Sequence, residues 1–115
     1  MRRGKVVLTP FPFTDLSGNK VRPAVIVSSD VRGGADVIVA FISTVFNATN
    51  LQPTDVLLQS HDPEFSRTGL KASSVFKMDK VATISRAILL GELGDVPPSL
   101  QARLDANLKL ALDLT

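Results

Sequence analysis

The pair Pro97-Pro98 divides this chain into two kinds of pattern. Ahead of it, apolar residues come only in short runs, broken by glycine, proline and polar clusters. Behind it, SLQARLDANLKLALDL places Leu100, Leu104, Leu108 and Leu112 four apart, which is helical spacing. Proline begins a helix well but does not continue one, so the helix must start here. Its first turn is expected to be capped by Ser99 or a close neighbour. Such a chain can fold as a series of short strands closed by one C-terminal helix.

The strand candidates follow from the apolar runs. Residues 6–9, 24–28, 37–42 and 55–59 read as strands, residues 74–78 and 80–84 are β-rich, and 88–93 is a further apolar stretch in which Gly91 weighs against a helix. VRGGAD, between residues 24–28 and 37–42, is a turn with paired glycines, so these two runs should form an antiparallel hairpin. PFPFTDLSGNK, NATNLQP and SHDPEFSRTG read as loops. The expected fold class is mainly β, a small and strongly bent antiparallel sheet or barrel with the helix packed on it.

At 115 residues the chain is one domain, with no linker or repeat. It contains no cysteine, which excludes disulfides, thiolate nucleophiles and cysteine-ligated metals and is compatible with a reducing cytoplasm. The start, MRRGKVVL, has too short an apolar core for a secretory signal, and no stretch approaches the roughly 20 apolar residues of a membrane span. A net charge of +2 is too mild to mark a nucleic-acid binder by itself. Its distribution says more, since Arg2, Arg3, Lys5, Lys20 and Arg22 crowd the first segment against the single acid Asp15.

Familiar catalytic signatures are missing. There is no glycine-rich phosphate loop, no paired metal-binding histidines and no Gly-x-Ser-x-Gly elbow. The one histidine, His61, lies in a polar loop without a nucleophile in view, and reads as incidental. What remains is Arg22 in KVRPAVIV, a permanent charge at the mouth of an apolar run. Pro23 restricts it to an extended backbone, which gives the side chain a defined direction. It is either a solvated strand entrance or a guanidinium fork presented to a phosphate. The hairpin sharpens the second reading. A strand leaving Arg22 and a partner returning toward it bring Ser43, in FISTVF, beside Arg22. In KMDK, strand alternation would place Lys77 and Asp79 on one face, a cation beside an acid. The same residues also suit a solvated edge. Phe11, Phe13 and Phe46 are the aromatic residues on which bases could stack, although at least one of Phe11 and Phe13 should cover the core edge.

Taken in order, these pieces resemble the PemK/MazF-type toxins of type II toxin–antitoxin systems. RRGKVVLTPFPFTDLSGNKVRPAVIVS is similar to the opening block of that family, VIVAFIST to its second and TGLKASSVFKMDKVATI to its third. GELGDVPPSL with the following amphipathic helix is similar to its C-terminus. The resemblance implies an SH3-like barrel with a C-terminal helix, a homodimer, and a cytoplasmic endoribonuclease that cuts single-stranded RNA without metal or cofactor and is blocked by a cognate antitoxin. It makes Arg22, Ser43 and Asp79 the expected catalytic residues, and Phe13, Lys20, Thr44, Lys77 and Lys80 the expected RNA-binding ones. Two departures stand out. Ser43 falls where the family usually has threonine, and Lys77 where some members carry a second catalytic arginine. The histidine that some members have in the first loop has no counterpart in FTDLSGNK. The runner-up from another class is a non-catalytic SH3-like binding module or a protein-targeting toxin of the same fold. The discriminator is whether Arg22, Ser43 and Asp79 converge in one groove, and an Arg22 buried in an internal ion pair would favour the binding module.

Overall fold

The computed structural model describes residues 1–11 and 20–115. Six strands, β1 (Lys5–Pro10), β2 (Val21–Ile26), β3 (Asp36–Ser43), β4 (Asp55–Leu58), β5 (Ser74–Ser85) and β6 (Gly91–Asp95), precede one helix, α1 (Pro98–Leu112). They form one antiparallel sheet in the order β4-β5-β3-β2-β1-β6, curled into a half-barrel. The expected hairpin is present, with Ala24 opposite Phe41, Val25 opposite Ala40 and Ile26 opposite Val39.

Continuous apolar runs, rather than alternating ones, fit a sheet covered on both faces. On one face Val6, Val25, Ala40, Ile42 and Phe76 pack with Met78 and the helix residues Leu100 and Leu104. On the other, Val7, Ala24, Ile26, Val39 and Phe41 form a second cluster, covered in part by Met1, Phe11 and Leu89. The alternation of strand side chains sends each neighbour to the opposite cluster.

The two β-rich stretches around KMDK are one strand of 12 residues, bent in the middle. Its register with β3 jumps from Ala40 opposite Val81 to Phe41 opposite Lys77, so Met78, Asp79 and Lys80 have no partner on β3. An excess of residues on one strand bends it and increases its twist. Here it turns the first half of β5 toward β4, and Asp55 lies opposite Lys77.

The helix starts as proline requires, with Pro98 in its first turn and Pro97 as the cap residue. No side chain caps it, so the expected serine cap is absent and the fixed backbone angle of proline serves instead. Leu100 and Leu104 are buried, whereas Leu110 and Leu112 are exposed as the helix passes the edge of the sheet. Among the described residues no helix is long and apolar enough to cross a membrane.

The positive charges of the first segment do not form one patch. Lys5 reaches Glu92 at 3.6 Å and Asp95 at 3.1 Å, both on β6. Arg3 donates to Asp105 of α1 at 2.7 Å. These partners lie far along the sequence, and the two on β6 are set by its pairing with β1.

Candidate functional site

β2 brings Arg22 to the end of the sheet, where Thr9 of β1 is its register partner. On the other side, continuing the hairpin register from Ala24 and Phe41 sets Arg22 across from Ser43, the last residue of β3. Both line a cavity of about 190 Å³, together with Phe11, Phe41, Ile42, Lys77 and Lys80. The unpaired bulge in β5 is what carries Lys80 back to the cavity after Lys77. Three cations and a hydroxyl thus share a cleft whose floor is apolar.

Arg22 is half-buried and braced by aromatic rings. Phe11 meets Phe41 edge to face, with ring centroids 5.1 Å apart and planes at 82°. The guanidinium carbon lies 5.5 Å from the centre of the Phe11 ring, a cation–π distance. The ring therefore supports Arg22 and packs at the edge of the core. The only side-chain hydrogen bond Arg22 makes among the described residues is a long one, from Nη1 to the Val21 carbonyl at 3.4 Å. No carboxylate among the described residues pairs with it. The internal ion pair that would favour a plain binding module is absent from these residues.

Ser43 is already engaged in a turn at the strand end. Its Oγ donates to the Val45 carbonyl at 2.8 Å and accepts from the Val45 N–H at 3.2 Å. Lys77 extends from β5 and its Nζ lies 3.3 Å from Oδ2 of Asp55. Asp55 escapes a reading of the sequence, where it is merely the first residue of a short strand. Only the register of β4 against β5 reveals it.

The remaining expected residues are placed differently. Asp79 is exposed and is not part of the cavity lining; it lies in the stretch of β5 that has no partner on β3. Thr44 is exposed and lines a separate, apolar cavity of about 260 Å³ with Leu8, Pro23, Gly69, Leu70 and Leu93. Lys20 is exposed just ahead of β2, its carbonyl accepting from the Phe11 N–H at 2.9 Å, and it does not line the cavity. Phe13 lies outside the described residues. His61 contacts Gln59 in its own loop and lines neither cavity.

A family model described as PemK-like, MazF-like toxin of type II toxin–antitoxin system matches residues 2–112. Among solved structures, the chain is similar to an endoribonuclease in complex with its cognate antitoxin from a mycobacterial species, at 27% identity and a TM-score of 0.75, covering 100% of this chain and 97% of that one. A second mycobacterial endoribonuclease matches at 27% identity and a TM-score of 0.72, covering 99% and 92% of the two chains. A MazE–MazF complex from Deinococcus radiodurans has a TM-score of 0.68 at 16% identity, over 100% of this chain and 97% of that one, a likeness of fold. A search of curated protein sequences finds no match.

Proposed function

The chain belongs to the PemK-like, MazF-like toxins of type II toxin–antitoxin systems, and from that premise we propose that it is a metal-independent endoribonuclease acting on single-stranded RNA. The observation that carries this reading is the state of Arg22. It is half-buried, held by Phe11, unpaired with any described carboxylate, and shares a cleft with Ser43, Lys77 and Lys80. A guanidinium so placed is ready for an anion from outside.

The RNA supplies the nucleophile. Its 2′-hydroxyl loses a proton and attacks the adjacent phosphorus, the P–O5′ bond breaks, and the departing 5′-oxygen takes up a proton from water. The products carry a 2′,3′-cyclic phosphate and a 5′-hydroxyl. The protein has to stabilise the added negative charge of the phosphorane. One preorganised donor contributes about 3–4 kcal/mol to such a transition state. Arg22 supplies it. Ser43 orients the phosphate, for which its hydroxyl must turn away from the Val45 carbonyl, so its contribution ranks below that of Arg22. Asp79, on the bulge between Lys77 and Lys80, accepts the 2′ proton once bound RNA reaches the rim. Lys77 and Lys80 hold the flanking phosphates as point charges. Lys20 and Thr44 serve RNA beyond the cleft, and Phe13 a base on the first loop.

The same cationic cleft suits an acidic antitoxin segment, and the toxin works in the cytoplasm as a homodimer released from that antitoxin. The solved mycobacterial relative bound to its cognate antitoxin supports the antitoxin as partner. An oligonucleotide with one ribonucleotide in a deoxy background tests the chemistry. Cleavage should occur only 3′ to that ribonucleotide. Cleavage of the all-deoxy strand would sink the mechanism.

A further inference from the structure

We infer that Asp55 is a positioning residue that aims Lys77 at a phosphate of the bound RNA, an inference that rests on the ribonuclease reading above. The Asp55 side chain is 1% exposed, although it carries a carboxylate. Oδ2 accepts from the Gln52 N–H at 2.9 Å and from Lys77 Nζ at 3.3 Å. Oδ1 is buried and has no hydrogen-bond partner among the described residues. The backbone is held from two further sides. The Asp55 N–H donates to the Gln52 carbonyl at 3.0 Å, and Asn107 of α1 donates to the Asp55 carbonyl at 3.0 Å.

A buried carboxylate with one unsatisfied oxygen is a poor device for stability, since desolvation offsets much of the attraction in a buried ion pair. It is a good device for direction. Lys77 has a flexible four-carbon stem, and a free lysine would spread its charge over many rotamers. The Asp55 anchor narrows that spread, and Lys77 lines the cleft while its Nζ is held 3.3 Å from Asp55 Oδ2. The helix, the Gln52 turn and the β4–β5 register together fix where that tether stands.

The opposite role for Asp55 is neutralisation, in which the carboxylate cancels Lys77 and weakens the cleft. The two roles predict opposite signs. The probe is a mixed-sequence all-deoxy single strand, which binds without being cut. Its affinity is measured by fluorescence anisotropy across a salt series for wild type, Lys77→Met, Asp55→Asn and the double variant. Each phosphate contact on a single strand contributes about 0.7 to the slope of log affinity against log salt. Lys77→Met should reduce the slope by about that amount. Asp55→Asn, with folding checked by thermal melting, should weaken binding and reduce the slope alike, and the double variant should add nothing. Tighter binding by Asp55→Asn, or an unchanged slope, overturns the positioning role. Should Asp55→Asn fail to fold, Asp55→Glu, which keeps the carboxylate and displaces it, takes its place: weaker binding with a reduced slope supports the positioning role, and an unchanged slope overturns it. Wild-type protein that binds no strand and cuts no RNA overturns the ribonuclease reading itself, a result distinct from wild-type binding with unaltered slopes.

Discussion

Arg22 shows how one residue is prepared before its substrate arrives. Pro23 restrains its backbone, Phe11 supports its guanidinium at 5.5 Å, and no described carboxylate competes for it. Arg22→Lys keeps the charge and loses the fork, so kcat on single-stranded RNA should fall by about 10²-fold or more, as for removal of one transition-state donor. Stability should change by no more than the cation–π contact, about 0.5–1 kcal/mol, as thermal melting would show. A folded Arg22→Lys enzyme with wild-type kcat would remove the case for bidentate contact. Ser43 invites a finer comparison. Ser43→Thr preserves the hydroxyl on the same β-carbon and should keep the cleavage rate. Ser43→Ala removes both the phosphate contact and the Val45 turn, and should be slower and about 1 kcal/mol less stable, measured by single-turnover kinetics and urea unfolding.

Among the elements, the bend in β5 and the seam between β6 and the Phe65–Thr68 turn hold the half-barrel in shape. At that seam Gly69 has φ +72°, and a β-carbon there would stand 2.1 Å from the Leu93 carbonyl oxygen. At Gly94 it would stand 2.3 Å from the Arg67 carbonyl oxygen. Either change to alanine therefore drives backbone apart. A loss of about 1–3 kcal/mol from overpacking is expected at each, with a further 1–2 kcal/mol at Gly69 for its left-handed backbone, read by urea unfolding. The helix is fastened to the N-terminal segment by Asp105. Burial opposes ionisation of its carboxyl, but hydrogen bonds from Arg3 and Gln101 and the charges of Arg3 and Lys109 hold it below its ordinary value of 3.8. A group lowered in the folded state contributes stability that is present above 3.8 and is lost as pH falls through the folded value. Both side chains are 36% exposed, so solvent screening limits the pair to at most about 1 kcal/mol. The stability gap between wild type and Asp105→Asn should be present at neutral pH and should close in strong acid. Much of this architecture is legible in the chain. Apolar runs, glycine turns and the diproline suffice for the strands, the hairpin and the helix, and the hairpin alone sets Ser43 across from Arg22. The bulge at Met78–Lys80 is not legible, because nothing local states that β3 has no residues to match them. For that reason alternation alone does not show that Asp79 stands off the cleft, and it gives no hint of Asp55 opposite Lys77.

At the scale of the whole molecule, Arg3 and Lys5 of the basic first segment pair with α1 and β6, while Arg22, Lys77 and Lys80 line one cleft. Apolar surface is left over, with Val21, Ile88, Leu90 and Leu110 all exposed. An unsatisfied surface of this kind favours pairing of two copies. Light scattering should give about twice the 12.3 kDa of one chain, whereas a monomer at micromolar concentration would contradict the homodimer. The central claim concerns the chemistry of that cleft, and one assay addresses it most directly. Purified wild type and a folded Arg22→Ala variant are incubated with single-stranded RNA in the presence of a chelator, and the new ends are identified. The account predicts 2′,3′-cyclic phosphate and 5′-hydroxyl ends from the wild type and a kcat reduced by about 10²–10³-fold in the variant. Products bearing 5′-phosphates, or undiminished cleavage by Arg22→Ala, would contradict it.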